Sequence, residues 1–147
     1  MNGIVQTFYD ARNLYLMLEL VPCGTLRSLM QKRAPFDPAA LTFYFANIIC
    51  GLHFLEIYDI AHRDIKPENI LVNADGYLSL ADFGSAARFS DQSGWLMVGT
   101  AAYMAPEVIA PVGQSERTWT GIDWWSSGCV LYEMITKKMA CSQFGWK

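Results

Sequence analysis

An α+β fold is what three features of the sequence predict: an early pair of apolar, aromatic-rich runs, a long apolar stripe at helical spacing, and a later pair of short runs around a turn. Leu14-Tyr15-Leu16-Met17-Leu18-Glu19-Leu20 is short and apolar and stops at Val21-Pro22-Cys23-Gly24, which reads as a strand ending in a turn. Ile4 to Tyr9 supplies its hairpin partner. Asp37-Pro38 then offers an N-cap and a first-turn proline. Beyond it, Leu41, Tyr44, Phe45, Ile48, Leu52 and Leu55 recur at spacings of three and four, which predicts an amphipathic helix buried along that stripe. Ile70-Leu71-Val72 and Tyr77-Leu78-Ser79-Leu80 flank Asn73-Ala74-Asp75-Gly76 and read as two short strands joined by a turn. Between Arg88 and Thr120 periodicity vanishes, and with Pro106 and Pro111 the segment reads as a long loop, a length that in a compact domain is usually functional. A helix from Asp123 to Lys138 closes the pattern, with Trp124, Cys129, Val130, Leu131 and Met134 available for burial.

Composition sets limits on partners and compartment. With 147 residues, 52% of them hydrophobic and 17% charged, the chain can build one core and is too apolar for disorder. A formal charge of −3 and a pI near 5.2 provide no basic surface for nucleic acid or anionic lipid. Cys23, Cys50, Cys129 and Cys141 are scattered without a Cys-x-x-Cys, and His53 and His62 add no metal-ligand spacing, which points to a reducing compartment and no zinc. The most apolar stretch, Tyr44 to Leu55, is interrupted by Asn47 and His53 and reads as too short for a membrane span. Met1-Asn2-Gly3 opens no signal segment, so a soluble, cytoplasmic protein is expected.

Residues 62 to 69 read His-Arg-Asp-Ile-Lys-Pro-Glu-Asn, and Asp82-Phe83-Gly84 follows. Five fixed letters in the first motif arise by chance at a given position on the order of once in a few million, so composition does not explain it. Together the two segments hold what phosphoryl transfer needs, which is positioning and charge neutralisation rather than covalent chemistry. Asp64, a carboxylate ionised at neutral pH, suits the task of orienting a hydroxyl and accepting its proton. Lys66 places a cation beside a transferring phosphate. Asn69 and Asp82 bring hard oxygen ligands of the kind Mg²⁺ prefers, and the strand pair between them draws the two together. Phe83 anchors the backbone after Asp82, and Gly84 lets it turn. His62 reads as a packing and hydrogen-bonding residue, because Asp64 is the better-placed base. Asp-Phe-Gly, Ala105-Pro106-Glu107 and Asp123-Trp124-Trp125 would each pass singly for a turn, a helix start and a capped aromatic pair; their order is what makes them a signature.

These motifs resemble the central part of a eukaryotic serine/threonine protein kinase domain, from the end of its N-lobe and hinge (residues 1–24) through an incomplete, mostly helical C-lobe (residues 25–147). Val98-Gly99-Thr100 before Tyr103, Asp123-Trp124-Trp125-Ser126 and Tyr132-Glu133-Met134 resemble the AGC group, and Asn13-Leu14-Tyr15-Leu16, His62 to Leu71 and Asp82-Phe83-Gly84-Ser85-Ala86-Ala87 are most similar to its citron type, a relative of the Rho-associated and myotonic dystrophy kinases. The resemblance implies ATP and Mg²⁺ as cofactors and a protein Ser/Thr hydroxyl as acceptor. It makes Leu18 the residue gating the adenine pocket, gives Glu19 and Val21 backbone groups facing the adenine, and places Leu71 beneath the ring. Thr100 would bond near Asp64 and Lys66, Asp123 would hold the catalytic-loop backbone, and Glu68 and Glu133 would recognise basic residues upstream of the phosphoacceptor. Rho-linked or cytoskeletal partners would belong to sequence outside these residues.

Departures narrow the expectation. Leu96 stands where AGC kinases often carry a phosphorylated threonine, so the loop is expected to order without phosphate there; Ser90 and Ser93 remain candidate sites. Ala101-Ala102 replace the usual proline and acidic residue, and Thr25 replaces a third acidic partner of Glu68 and Glu133, which implies a weakened preference for basic substrates. No Gly-rich loop, strand lysine or partner glutamate occurs in these residues. The expected product is therefore a catalytic-domain fragment with exposed apolar faces and little activity alone, the alternative being a pseudokinase-like binding module.

Overall fold

The computed structural model describes residues 3–90, 97–109 and 121–140. Leu96, Ser93, Cys141 and the segment 143–147 lie outside the described residues. The chain begins with an antiparallel hairpin of β1 (Ile4–Tyr9) and β2 (Leu14–Leu18), in register Thr7 with Leu16 and Phe8 with Tyr15, with a bulge between Ile4 and Gln6. Its turn is closed by the Asp10 carboxylate, which accepts the backbone N–H groups of Arg12 and Asn13 at 2.7 Å and the Tyr15 hydroxyl at 2.8 Å. Phe8 stacks on Tyr15 with ring centroids 4.9 Å apart. Every residue of both strands is exposed, so the hairpin contributes no side chain to the core.

The core is helical and forms between α1 (Leu26–Arg33), α2 (Pro38–Ile57) and α4 (Ile122–Thr136), with the hairpin of β4 (Ile70–Val72) and β5 (Leu78–Leu80) packed against α2. Leu26 and Met30 enter from α1, Ile48, Leu52 and Leu55 from α2, Leu80 from β5, and Cys129, Val130 and Met134 from α4. Burying each such side chain contributes about 1.5–3 kcal/mol relative to leaving it exposed. The stripe read from the sequence is the buried face of α2, its first half (Leu41, Tyr44, Phe45) only partly covered. The opposite face carries an apolar groove of about 760 Å³ lined by Phe43, Cys50, Gly51, Phe54, Tyr77 and Leu78, among others.

Several elements depart from expectation. α1 was not anticipated: it is short, capped by Thr25 and Ser28 through a reciprocal box, and only two of its eight residues are buried, too few to set a visible period. β3 (Ile60–Ala61) pairs with β6 (Ala87–Arg88), two-residue strands whose pairing is long-range and has no local signature. The presumed loop holds a 3₁₀ turn at Ala101–Tyr103 and a short helix α3 (Pro106–Ile109). The final helix ends at Thr136, with Lys137 in the left-handed region as its C-cap. The apolar segment is longer than Tyr44–Leu55: α2 runs 20 residues at a mean hydropathy of 1.5, enough by length and composition to cross a membrane, with 17% of it buried. Its packing against β5 and α4 is that of a core helix.

Asp37 caps α2 as expected, accepting from Ala39 N–H at 3.0 Å and Ala40 N–H at 2.9 Å. Asp37→Ala should lower stability by about 1 kcal/mol, read in urea unfolding as a reduced midpoint at unchanged slope.

Candidate functional site

The segment 62–70 is pinned by alternation. Ile65, Pro67 and Ile70 are fully buried, which turns Asp64, Lys66 and Glu68 toward the cleft. Pro67–Asn69 forms a 3₁₀ turn that leads directly into β4. Because Ile70 pairs with Leu80 and the Ala81 N–H donates to the Asn69 carbonyl at 2.9 Å, Asp82 emerges beside Asn69. Gly24 of the segment after β2 accepts from the Val72 N–H at 2.9 Å, and Thr25 bridges to Leu71, which brings Leu71 next to the turn that follows Val21.

At the centre Asp64, Lys66 and Thr100 close a ring of hydrogen bonds. Lys66 Nζ donates to Asp64 Oδ2 at 2.7 Å and to Thr100 Oγ1 at 2.8 Å, and Thr100 Oγ1 donates to Asp64 Oδ1 at 2.8 Å. Asn69 Nδ2 donates to Asp64 Oδ2 at 3.0 Å and to the Asp64 carbonyl at 2.9 Å, which leaves the Asn69 side-chain oxygen turned away from Asp64. Burial pushes the Asp64 carboxyl up, but the hydrogen bonds of Lys66 and Thr100, the Lys66 charge and Asn69 together hold it below its ordinary range. Asp64 is thus ionised and fixed in orientation. Asp82 sits in the left-handed region at φ 61°, and its Oδ1 accepts only a long 3.3 Å bond from Gly84 N–H. Among the described residues Asp82 makes no ion pair.

The loop is held from beneath by Asp123 of α4. Its Oδ2 accepts the His62 N–H at 2.7 Å and its Oδ1 the Arg63 N–H at 2.9 Å. Burial drives this carboxyl upward, opposed by those two N–H groups and by the Arg63 charge. His62 is wholly buried, packs its ring against Phe83 in a tilted arrangement with centroids 4.8 Å apart and lies 3.0 Å through Nε2 from the Ala81 carbonyl, while Nδ1 accepts from the Asp64 N–H; the two bonds place the ring proton on Nε2. The Arg63 guanidinium bonds the Ser85 carbonyl, tying the loop to the segment after Asp82. From the other side Gly99, at φ 109°, approaches so closely that a Cβ there would lie 2.3 Å from the Arg63 carbonyl oxygen. Ser126 Oγ donates to the Tyr103 carbonyl at 2.7 Å, fixing the turn that follows Thr100.

Glu68 and Glu133 come together as well, joined by a residue the sequence reading missed. Arg27 Nε donates to Glu68 Oε1 at 2.6 Å, Nη1 to Glu133 Oε1 at 2.5 Å, and Nη2 to the Tyr103 hydroxyl at 2.7 Å. The Tyr103 hydroxyl donates onward to Glu133 Oε2 at 2.7 Å. A basic residue two positions after Thr25, which stands where a third acidic partner of the pair is usual, was the available signal. Leu18 and Glu19 lie exposed, and Val21 is half-buried. The Glu19 N–H is taken by the Gly3 carbonyl at 3.0 Å. Among the described residues no group of three or more His, Cys, Asp or Glu side chains is placed to hold a metal ion by itself.

A protein-kinase-like α+β fold is the class these features define. The chain belongs to the protein kinase domain family, whose model matches residues 3–145. It is 42% identical over 130 residues to the cAMP-dependent protein kinase catalytic subunit PRKX of Homo sapiens, covering 88% of this chain and 35% of that protein. Citron rho-interacting kinase of Rattus norvegicus is also 42% identical, over 136 residues, 89% of this chain and 7% of that protein. The putative serine/threonine-protein kinase PRKY of Homo sapiens is 41% identical over 130 residues, 88% of this chain and 45% of that protein. The AGC resemblance therefore holds, with cAMP-dependent and citron types matching equally well. The chain spans less than half the length of these relatives.

Gly99→Ala tests the close approach against Gly76→Ala, where φ is 87° but nothing lies within 4 Å of the added Cβ. Gly76→Ala should cost about 1–2 kcal/mol of backbone strain. Gly99→Ala should cost more by about 1–3 kcal/mol, measured as the difference between the two urea midpoints.

Proposed function

We propose that these residues form the catalytic-loop part of an ATP-dependent serine/threonine protein kinase, which transfers the γ-phosphoryl group of ATP to a protein Ser or Thr hydroxyl. The observation that carries the reading is the closed ring of Asp64, Lys66 and Thr100 with Asn69 and Asp82 alongside. Ser/Thr selectivity is supported by Lys66-Pro67-Glu68-Asn69 and by one relative named as a kinase of that type.

Asp64 orients the acceptor hydroxyl and takes its proton as the O–P bond forms. A carboxyl held below its ordinary range is a weak base, so orientation is the larger part of its contribution. Lys66, already paired with Asp64, stands ready to follow the transferring phosphoryl oxygens with its charge. Thr100 fixes both partners, so the segment carrying it must be docked before the pair is aligned. The Asn69 side-chain oxygen and the Asp82 carboxylate fit Mg²⁺, a hard cation that binds through few protein oxygens and completes its shell with phosphates and water. When bound, Mg²⁺ neutralises phosphate charge during the transfer. Leu18, the Glu19 carbonyl, Val21 and Leu71 form the adenine side, with residues 1–24 read as the end of the N-lobe and hinge and residues 25–147 as C-lobe. Glu68 and Glu133 face the peptide side of the cleft. An intracellular setting goes with this reading, and Rho-linked or cytoskeletal partners would bind sequence outside these residues.

A second reading, a binding module without catalysis, is favoured by one observation: the hairpin β1–β2 is exposed along its whole length. One assay separates the two. In the full protein that its gene encodes, Asp64→Asn should lower γ-phosphoryl transfer to a serine peptide by about 10²–10⁴-fold, and chelation of Mg²⁺ should abolish it. Wild-type transfer rates in Asp64→Asn would contradict the kinase reading, and Mg²⁺-ATP binding without transfer in the wild type would establish the module. The 147-residue chain alone is expected to transfer little.

A further inference from the structure

We infer that Arg27 fills the acidic subsite of Glu68 and Glu133 from within the chain, so that the cleft selects acceptor peptides without arginine or lysine upstream of the Ser or Thr. This rests on the reading of that cleft as the peptide side of a kinase site. The acidic pair is contiguous with the reacting centre by two chain links. Glu68 lies in the turn between Lys66 and Asn69, and Tyr103 closes the 3₁₀ turn that starts from Thr100. A substrate cation seated on the pair would therefore sit one short reach from Asp64.

Arg27 already occupies that place with the geometry a substrate guanidinium would use. Its Nε serves Glu68, and Nη1 and Nη2 serve both oxygens of Glu133, with Nη2 also donating to Tyr103. The planar fork of arginine matches two carboxylates in a way no single lysine does. Glu133 has a side chain only 6% exposed, lying behind Arg27, and Tyr103 donates to it from the inner side. An incoming cation reaches Glu133 only if Arg27 leaves. Burial lowers the Arg27 pKa, but hydrogen bonds to Glu133 and Glu68 outweigh it and leave the guanidinium more firmly charged than usual. Burial and the neighbouring Glu133 push the Tyr103 hydroxyl up, so it stays neutral and adds no charge for a substrate to meet.

The backbone under Arg27 gives it little freedom to swing away. Arg27 is the second residue of α1, inside the Thr25–Ser28 capping box, and follows Leu26, which is wholly buried in the core. The pair of negative charges is thus halved by a cation that belongs to the chain. Thr25 removes a third acidic partner, and Arg27 neutralises one charge of the two that remain; the two substitutions act in the same direction.

The test compares, in the full protein, binding of fluorescent serine peptides that carry arginine or alanine at each upstream position in turn, read by anisotropy. Wild type should bind the two kinds within about twofold, and Arg27→Leu should favour an arginine peptide by about tenfold. Adding Glu133→Gln to Arg27→Leu should remove that gain. Should Arg27→Leu fail to fold, Arg27→Gln, which keeps donors without charge, is read the same way. In the wild-type background Glu68→Gln should change arginine-peptide binding by less than about twofold, because Glu68 is already engaged. A wild-type preference of about tenfold for arginine that Arg27→Leu or Arg27→Gln leaves unchanged or weakens would overturn the inference. Phosphoryl transfer on the same peptides keeps the two readings apart. Transfer with no Arg27-dependent preference overturns this inference alone, and an Arg27-dependent binding gain without transfer upholds it while removing the kinase reading.

Discussion

One buried carboxylate holds the rest of the site in place. Asp123 accepts the backbone N–H groups of His62 and Arg63, two consecutive donors that have no strand or helix to satisfy them. Leaving either buried N–H unpaired costs about 1–3 kcal/mol, and Arg63 sits at φ 67°, a left-handed conformation that a non-glycine residue keeps only when its surroundings enforce it. With that bend fixed, His62 reaches the Ala81 carbonyl, Arg63 reaches Ser85, and the Arg63 carbonyl becomes the surface on which only a glycine at 99 fits. The position of Thr100 against Asp64 and Lys66 is the last consequence of the same anchor.

α4 acts through one face. Asp123, Ser126, Val130 and Glu133 recur at helical spacing and all are buried, so a single helix supports the catalytic loop, the Tyr103 turn and the acidic cluster at Arg27. Val130 in the middle of that face joins the core with Met134, which ties the polar supports to the hydrophobic packing of α2. The site therefore inherits its rigidity from the core rather than from the exposed β1–β2 hairpin.

What was legible in the sequence was whatever has a short period or a local cap. Asp37-Pro38 fixed the start of α2, the apolar alternatives around Asn73–Gly76 fixed β4 and β5, and the aromatic run fixed β2. α1 was hidden because a short helix on the surface buries only Leu26 and Met30, and β3 with β6 because two-residue strands carry no pattern. At the site, Asp64, Lys66, Asn69 and Asp82 were visible from motif spacing, whereas Arg27 was not: its partners lie 41 and 106 positions away, and no local rule links a helix's first turn to them. Gly99 was seen as a motif letter, but its reason, the Arg63 carbonyl, exists only in three dimensions.

Amide hydrogen exchange at His62 and Arg63 measures the anchor itself. In the wild type both amides should exchange far more slowly than free amides, and in Asp123→Asn, which keeps the shape but halves the acceptors, one or both should exchange faster while Val130 and Met134 in the core stay protected. Unchanged protection of His62 and Arg63 in Asp123→Asn, with Asp64, Lys66 and Thr100 still in contact, would contradict the claim that this carboxylate holds the site.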